Sequence, residues 1–218
     1  MAKNKNISDK NIIAFYMNYI LEHNKQPETV FSFAKINNFE EQIFYKYFSS
    51  FNAVEEHVFR AFFDNTIDVL EKSEDYETFE ARNKLLSFYY TFFENLTANR
   101  SYVLYALNHY KNKLNNLKQL SKLKHSFVEY IENLGIELIE TKQDQLNKIQ
   151  RNGLKESAWI QFILTLKFWM DDTSASFEKT DVFIEKSVNT SFDVLNVAPL
   201  KSLIDFGKFI FKEKAHMS

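Results

Sequence analysis

Apolar residues recur at intervals of three and four positions along almost the whole chain, the spacing that places them on one face of an α-helix. The first such stretch follows Ser8, a residue type that favours the N-cap position. Only three Gly and two Pro interrupt the 218 residues, whereas a sheet protein needs many tight turns. The pattern therefore predicts an all-α fold.

The first half of the pattern predicts four helices. The first begins after Ser8, and a second begins at Val30. A tight turn at Asn37–Asn38 leads into a third helix over residues 39–48. Asn52 is expected to cap a long fourth helix, with Glu55 three residues later completing a capping box.

Six further helices are predicted in the rest of the chain. Gly135 is expected to bend the third of these six and Gly153 to end it, while Thr180 is expected to cap the next helix but one. Their predicted ranges are 78–96, 101–113, 117–150, 154–171, 180–196 and 199–213.

Composition excludes several classes of protein. The chain has no Cys, which excludes disulfides and thiolate zinc sites. The polar stretch Met1–Asp9 lacks the apolar core of a signal peptide, and no run approaches the roughly 20 apolar residues of a membrane span. A cytoplasmic protein is therefore expected. The net charge of -2 gives no global basic field, and the 23 Phe residues suit either an ordinary core or an interior that encloses an apolar ligand.

One N-terminal segment resembles the DNA-binding region of TetR-family repressors. The string Phe44–Ser50, followed by Asn52–Val54, matches the end of the family's recognition helix and the link after it. Ala34 stands where the family keeps a small residue, and Asn38 stands at its turn glycine. The resemblance implies a helix-turn-helix domain over residues 1–52. A larger helical domain over residues 53–218 would bind ligand and dimerise.

The resemblance also implies which side chains contact DNA. The third helix would enter a major groove, with Tyr45 and Lys46 near phosphate groups and Gln42 near base edges. Lys35 in the second helix completes the predicted DNA-binding set. Tyr47 is expected in the core of the head, where it would pack with Phe33, Ala34, Phe39, Phe44 and Phe48.

The start of the third helix departs from the family. Glu40 and Glu41 stand where family members carry small, hydroxyl or basic residues, and carboxylates there would face phosphate oxygens. Residues 1–60 contain seven bases and seven acids, although phosphate contacts supply most of the non-specific affinity for DNA. The net charge of this region therefore disfavours DNA binding.

A second resemblance lies near the C-terminus. The residues that carry it are Asp172, Ser174, Phe177, Thr180, Phe183 and Ile184. They look like the signature of the lipid-binding accessory family of ubiquinone biosynthesis, itself TetR-like in fold. That family has a Trp after the Thr, where this chain has Asp181, so contacts made by that Trp do not carry over.

The same residues also form a well-made turn between two helices. Asp172 and Ser174 can bond the backbone of the link, and Thr180 can cap the next helix. In TetR-like folds the two helices flanking this link commonly form a four-helix dimer interface, so the resemblance implies a homodimer. The predicted interface residues are Phe162, Leu166, Phe183 and Val188.

The final predicted helix carries an apolar stripe. It consists of Leu200, Leu203, Ile204, Gly207, Ile210 and Phe211, and Lys201, Lys208 and Lys212 form a separate basic row. Such a helix can dock on its own domain or lie peripherally on an anionic membrane. Residues 100–128 contain bases and no acid, which indicates a solvated surface or a contact with an anionic partner.

The chain has no catalytic signature, so no enzymatic activity, cofactor or metal is predicted. The His residues lack metal-ligand spacing, and no Gly-rich phosphate loop occurs. An apolar interior in the second domain is the candidate ligand pocket. Its predicted lining is Phe88, Phe92, Tyr102, Tyr105, Phe127, Tyr130, Trp159, Phe162, Leu166 and Trp169.

Two functional hypotheses follow from these observations. The first is a homodimeric transcriptional regulator that binds operator DNA and responds to an apolar small molecule. The second is a TetR-fold protein without DNA binding that presents an isoprenoid or acyl lipid to membrane-associated enzymes. The Phe44–Ser50 string favours the first hypothesis. Glu40, Glu41, the neutral head, the Asp172–Ile184 match and the last helix favour the second.

Overall fold

A computed structural model describes residues 7–108, 118–138 and 144–195. Within these ranges the regular structure is entirely helical, which confirms the all-α prediction. The α-helices are α1 (Asp9–His23), α2 (Val30–Ile36), α3 (Glu41–Tyr47), α4 (Phe51–Leu70), α5 (Ala81–Ala98), α6 (Arg100–Asn108), α7 (Ser121–Asn133), α8 (Asp144–Asp171) and α9 (Glu178–Leu195). The predicted helix at 199–213 lies outside the described residues.

Local side-chain chemistry sets the first helix ends. Ser8 caps α1 as predicted, because its hydroxyl accepts the Asn11 N–H at 3.3 Å. Thr29 caps α2 in the same way, through the Ser32 N–H at 3.1 Å. The predicted tight turn after α2 is confirmed: Asn38 has a φ of 58°, in the left-handed region that Asn tolerates.

The predicted start of α4 is wrong. The helix begins at Phe51, where Ser50 caps it by accepting the Ala53 N–H at 3.3 Å. Asn52 is already helical, and its side-chain carbonyl accepts a hydrogen bond from Gln26 instead. Asn52 and Glu55 have the spacing of a capping box, but the chain places Glu55 in the interior, where it makes tertiary contacts.

The predicted helix over residues 117–150 is also wrong. α7 ends at Asn133, and Gly135 follows with a φ of +72°, a conformation that favours glycine and ends a helix. α8 then continues without a break from Asp144 through Gly153 to Asp171. Gly153 costs the helix only about 1 kcal/mol relative to alanine, so packing along the rest of α8 outweighs it. α9 begins at Glu178, two residues before the predicted cap at Thr180.

The chain divides into two compact units. Of the described residues, the first comprises 7–69, 92–108 and 118–126, and the second comprises 70–91, 127–138 and 144–195. The predicted domain boundary at residue 52 falls inside the first unit, because the start of α4 packs against the first three helices. The Phe51 ring lies 5.6 Å from that of Tyr16 and 5.2 Å from that of Phe44.

Candidate functional site

The core of the N-terminal head is a cluster of aromatic rings centred on Phe33. This fully buried side chain makes edge-to-face contacts with Phe39 at 5.8 Å, Phe44 at 6.2 Å and Phe51 at 5.4 Å. The rings fix α2 against α3 across the Asn38 turn. The two short helices are therefore held by side-chain packing, and their outer faces are left for other contacts.

The outer face of α2 and α3 carries all four predicted DNA-binding residues. Lys35, Gln42, Tyr45 and Lys46 are exposed, and Tyr45 retains 54% of its surface. Gln42, Tyr45 and Lys46 share one side of α3, because residues three and four positions apart on a helix are neighbours. The predicted core position of Tyr47 is wrong: this ring is 37% exposed, and the Lys46 Nζ atom lies 5.4 Å from its centroid.

Ion pairs engage several of the bases in the first unit. Lys25 contacts Glu28 at 3.1 Å, and Arg60 contacts Asp64 at 2.7 Å. Lys10 lies 3.9 Å from Asp68. Among the described residues up to Ser50, Lys35 and Lys46 are the exposed lysines outside these ion pairs. The positive charge of the described part of the head is thus concentrated on α2 and α3.

Sequence analysis missed two apolar side chains on this face. Phe31 and Ile36, at either end of α2, keep about three-fifths of their surfaces exposed, at 61% and 60%. Neither residue carries a signal in the sequence, because a helix of seven residues shows too little periodicity to separate its two faces.

A buried carboxylate lies in the interior of the first unit. Glu55 on α4 is 7% exposed. Its Oε1 atom accepts the Tyr16 hydroxyl at 2.6 Å, and its Oε2 atom accepts the Gln119 amide at 3.1 Å. Burial and the adjacent Glu55 carboxylate raise the pKa of Tyr16 far above its usual value. The phenol therefore stays protonated and keeps donating to Glu55.

The predicted ligand-pocket residues are distributed over both compact units. Phe92, Tyr102 and Tyr105 belong to the first unit, where Phe92 and Tyr102 are buried. The other seven belong to the second unit, and five of these pack as rings in mutual contact. Phe127 lies 5.6 Å from Phe88 and 4.9 Å from Phe162. Trp159 stacks on Phe162 at 5.3 Å, and Tyr130 lies 4.8 Å from Phe88.

The remaining two predicted pocket residues, Leu166 and Trp169, are buried on α8. The hydroxyl of Tyr130 donates to the backbone oxygen of Lys84 at 3.0 Å and lies 2.9 Å from the Tyr76 hydroxyl. The cluster is thus anchored at its polar edge. Whether it opens around a ligand stays a prediction.

The predicted dimer-interface residues lie mostly in the core. Phe162 and Val188 are fully buried within the protomer, and Leu166 is nearly so. These side chains have no surface left for a partner copy, which corrects the choice of residues. Phe183 is half-buried and stacks on Phe168 at 4.5 Å. The exposed apolar side chains of α8 and α9 are instead Ile149, Ile160, Leu164, Val182 and Val194.

The link between α8 and α9 is built around Asp172, which is 6% exposed. Its Oδ1 atom accepts the backbone N–H and the hydroxyl of Ser174 at 2.8 and 2.7 Å. Its Oδ2 atom accepts the N–H and the hydroxyl of Thr180 at 3.0 and 2.7 Å. Burial alone would raise the pKa of Asp172, but these four hydrogen bonds outweigh it and hold the pKa at about 2.

The surrounding residues of the second resemblance have structural roles as well. Phe177 lies 6.2 Å from the buried Trp169, and Ile184 is fully buried. Ser174 also accepts the Lys179 N–H at 3.2 Å. Asp172, Ser174 and Thr180 therefore form a capping device that starts α9. The geometry of the described link accounts for these residues without a ligand.

A cleft of about 260 Å³ opens between helices of the second unit. Sequence analysis did not identify it, because its residues are far apart in the sequence. Its apolar lining includes Leu85 of α5, Ile131 of α7, Leu154 and Ala158 of α8, and Phe192 and Leu195 of α9. Gln161 on its wall donates to Ser187 at 3.2 Å and accepts from Ser191 at 3.3 Å. The cleft thus offers mainly apolar surface.

The part of the chain that the structure describes shows neither a metal-binding cluster nor a membrane-spanning helix. No group of three or more acidic or His side chains there is arranged to hold a metal ion. None of the helices described is both long and apolar enough to cross a membrane.

Comparison with known protein families gives a match. Residues 84–210 match the family described as the tetracycline repressor-like C-terminal domain. No curated protein sequence matches the chain. The family match begins in α5 and runs past the end of α9, so it includes the aromatic cluster, the Asp172 link and the cleft. Because it covers more than half of the 218 residues, the chain belongs to the tetracycline repressor-like (TetR) family.

Proposed function

We propose that this TetR-family chain is a homodimeric transcriptional regulator whose α2–α3 face binds operator DNA. The observation that carries the proposal is the exposed set of Lys35, Gln42, Tyr45 and Lys46, which a buried aromatic core holds in place. Long polar and basic side chains on one side of a short helix suit phosphate and base-edge contacts in a major groove. Such a protein would act in the cytoplasm, where it meets DNA.

The test is genome-wide chromatin enrichment of the tagged full-length protein in its own host. A regulator gives a few sharp peaks over palindromic sites, and Lys46→Glu should abolish them, because it replaces a phosphate contact with repulsion. Lys148→Glu on the exposed surface of α8 makes the same charge change away from the head and serves as the control. A flat profile from well-expressed protein would reject DNA binding.

The proposed dimer interface is the exposed side of α8 and α9. Ile160 and Leu164 on α8 and Val182 on α9 each keep about half of their surfaces exposed, and burying them against a second copy would be favourable. Leu164→Asp should therefore convert dimers to monomers in light scattering after size exclusion. Val69→Asp, at a 48% exposed apolar position in the first unit, should not. Dimers that survive Leu164→Asp would place the interface elsewhere.

We propose an apolar small molecule as the effector and no enzymatic activity. The aromatic cluster around Phe127 supports an apolar ligand. Asp172, the carboxylate with a strongly lowered pKa, already accepts four hydrogen bonds within the protein, so it is not poised to take up a proton. Mass spectrometry of material extracted from purified protein would identify the ligand, and Phe127→Ala should reduce its recovery.

The second candidate is a lipid-binding protein without DNA binding. The half-exposed Glu40 and Glu41 at the start of α3, and the equal numbers of acids and bases in residues 1–60, support it. These carboxylates would lie near phosphate groups if α3 entered a groove. A flat chromatin profile together with a co-purified isoprenoid or acyl lipid would favour this candidate over the regulator.

A further inference from the structure

We propose that the C-terminal segment Leu200–Phe211 docks into the cleft of its own protomer, with its apolar stripe against Leu85, Ile131 and Phe192. The segment itself lies outside the described residues. The proposal depends on the shape and chemistry of the cleft, on where α9 ends and on the pattern of the segment. It does not depend on whether α3 binds DNA.

The cleft requires an apolar occupant. Its hydrophobic walls come from four helices, and three of its polar residues already hydrogen-bond to neighbours. Gln161 and Ser191 bond to each other at 3.3 Å, and the Ser157 hydroxyl donates to the Leu154 backbone oxygen at 2.9 Å. A charged ligand would find no charged group among the described lining residues to offset the loss of its hydration.

The size of the cleft favours side chains over a separate small molecule. Pockets that bury most of a drug-sized ligand span roughly 300–1,000 Å³, whereas this cleft measures about 260 Å³. A space of this size suits a few apolar side chains that project from one segment. Such a segment also loses less freedom on binding than a free ligand does, because the chain already tethers it.

α9 ends at the cleft, and the segment follows directly after it. Leu195, the last residue of α9, itself lines the cleft, and Phe192 and Val194 of the same turn do so too. Only four residues, 196–199, separate it from the stripe, and they span at most about 14 Å when extended. The stripe consists of Leu200, Leu203, Ile204, Gly207, Ile210 and Phe211.

The family match supports a place for this segment within the domain. It extends to residue 210, which is 15 positions past the end of α9 at Leu195. An amphipathic helix normally buries its apolar face against its own domain. The stripe belongs to the domain and follows directly after a helix that lines an apolar cleft. That cleft is therefore the apolar surface nearest to it along the chain.

The test uses the absence of cysteine from the natural chain. Ser157→Cys places one thiol at an exposed position of the cleft wall, and Leu203→Cys places the other in the stripe. Mild oxidation of this full-length double variant should give an internal disulfide. The matched control pairs Ser157→Cys with Asp205→Cys, because residues two positions apart point to nearly opposite sides of a helix.

Docking in the same protomer predicts an internal disulfide that forms about tenfold faster in the Leu203 pair than in the Asp205 pair, because the docked thiol has a high effective concentration. Equal rates in the two pairs would overturn the proposal, as would a disulfide-linked dimer as the main product of the Leu203 pair. Equal rates are also the result expected if the cleft holds a small molecule or the segment lies on a membrane.

A second measurement needs no cysteine. Trypsin should cut after Lys201 and Lys208 about tenfold faster in Leu203→Asp than in the natural protein, since a lost apolar contact of about 1.4 kcal/mol changes the docked population tenfold. Asp205→Asn, on the other side of the segment, should leave the rate unchanged. Equal cleavage of the natural protein and of Leu203→Asp would also overturn the docking.

Discussion

Among the described residues, each compact unit buries one carboxylate, and the two are stabilised in different ways. Glu55 in the first unit and Asp172 in the second are 7% and 6% exposed. A buried carboxylate is costly unless hydrogen bonds replace its hydration. Asp172 takes its donors from Ser174 and Thr180, within eight residues of its own position. Glu55 takes one donor from 39 residues before it and another from 64 residues after it.

The Asp172 hydrogen bonds are local in sequence, whereas the Glu55 hydrogen bonds connect distant parts of the chain. The Asp172 bonds fix the angle at which α9 leaves α8, and they need no other part of the chain. The Glu55 bonds join α4 to Tyr16 on α1 and to Gln119 before α7. Glu55 therefore holds the first helix of the head onto α4, and a movement of α4 relative to α1 would have to break or carry these bonds.

The largest expected effect is the loss of Asp172. Asp172→Ala should lower the free energy of unfolding by about 3 kcal/mol, because it leaves the buried donors of Thr180 and those of Ser174 without their acceptor. The neighbouring Asp171→Ala is the matched control: Asp171 is exposed and pairs with Lys167 at 3.5 Å, which is worth at most about 1 kcal/mol. Urea unfolding compares them, and equal losses would show that the link is not a capping device.

A smaller loss is expected from Glu55→Ala. It should cost about 2 kcal/mol, because the Tyr16 and Gln119 donors lose this acceptor, while the Tyr16 oxygen still accepts a hydrogen bond from Gln26 at 3.3 Å. The half-buried neighbour Glu56→Ala serves as the control and should cost little.

The two alanine variants should also differ in where the structure loosens. Amide hydrogen exchange should rise in α1 around Tyr16 for Glu55→Ala, but only near the start of α9 for Asp172→Ala. If Glu55→Ala loosened α4 alone, then Glu55 would not tie α1 to α4, and the contrast between the two carboxylates would fail.

The same contrast explains what could be predicted from the sequence. The Asp172 turn was anticipated because Ser174 and Thr180 lie close by along the chain. Glu55 was assigned to a capping box because its spacing from Asn52 fits one, while Tyr16 and Gln119 are too distant to enter a local pattern. Helix types and most helix starts follow from local spacing, but the partner of a buried polar group depends on the tertiary fold.

The other source of error was the choice of which face of a long helix is buried. α8 carries apolar residues on two sides: Phe162 and Leu166 are buried, whereas Ile160 and Leu164 are exposed. Periodicity alone does not say which stripe enters the core when both sides are apolar. The exposure of Lys35, Gln42, Tyr45 and Lys46 on α2 and α3 was easier to predict, because the family resemblance fixes their register and the Phe33 core turns them outward.

The smallest expected effect is a change with pH in the stability that Asp172 contributes. Because hydrogen bonds hold the pKa of Asp172 at about 2, below the usual carboxyl value near 4, its stabilising contribution is present above about pH 4 and is lost as the pH falls towards 2. The difference in unfolding free energy between the natural chain and Asp172→Asn should shrink over this range. Asp181 opposes it, since burial and then the charges of Asp172 and Glu178 raise the pKa of that carboxyl.

Both forms should therefore be compared in an Asp181→Asn background, which removes the opposing titration. Urea midpoints at half-unit steps from pH 5 to pH 2 follow the difference between them. A difference that narrows below about pH 4 matches a carboxylate whose bonds require its charge. A difference that stays constant down to pH 2 would mean that the Ser174 and Thr180 donors bind a neutral oxygen equally well. Asp172 would then stabilise the link through the positions of its oxygen atoms rather than through its negative charge.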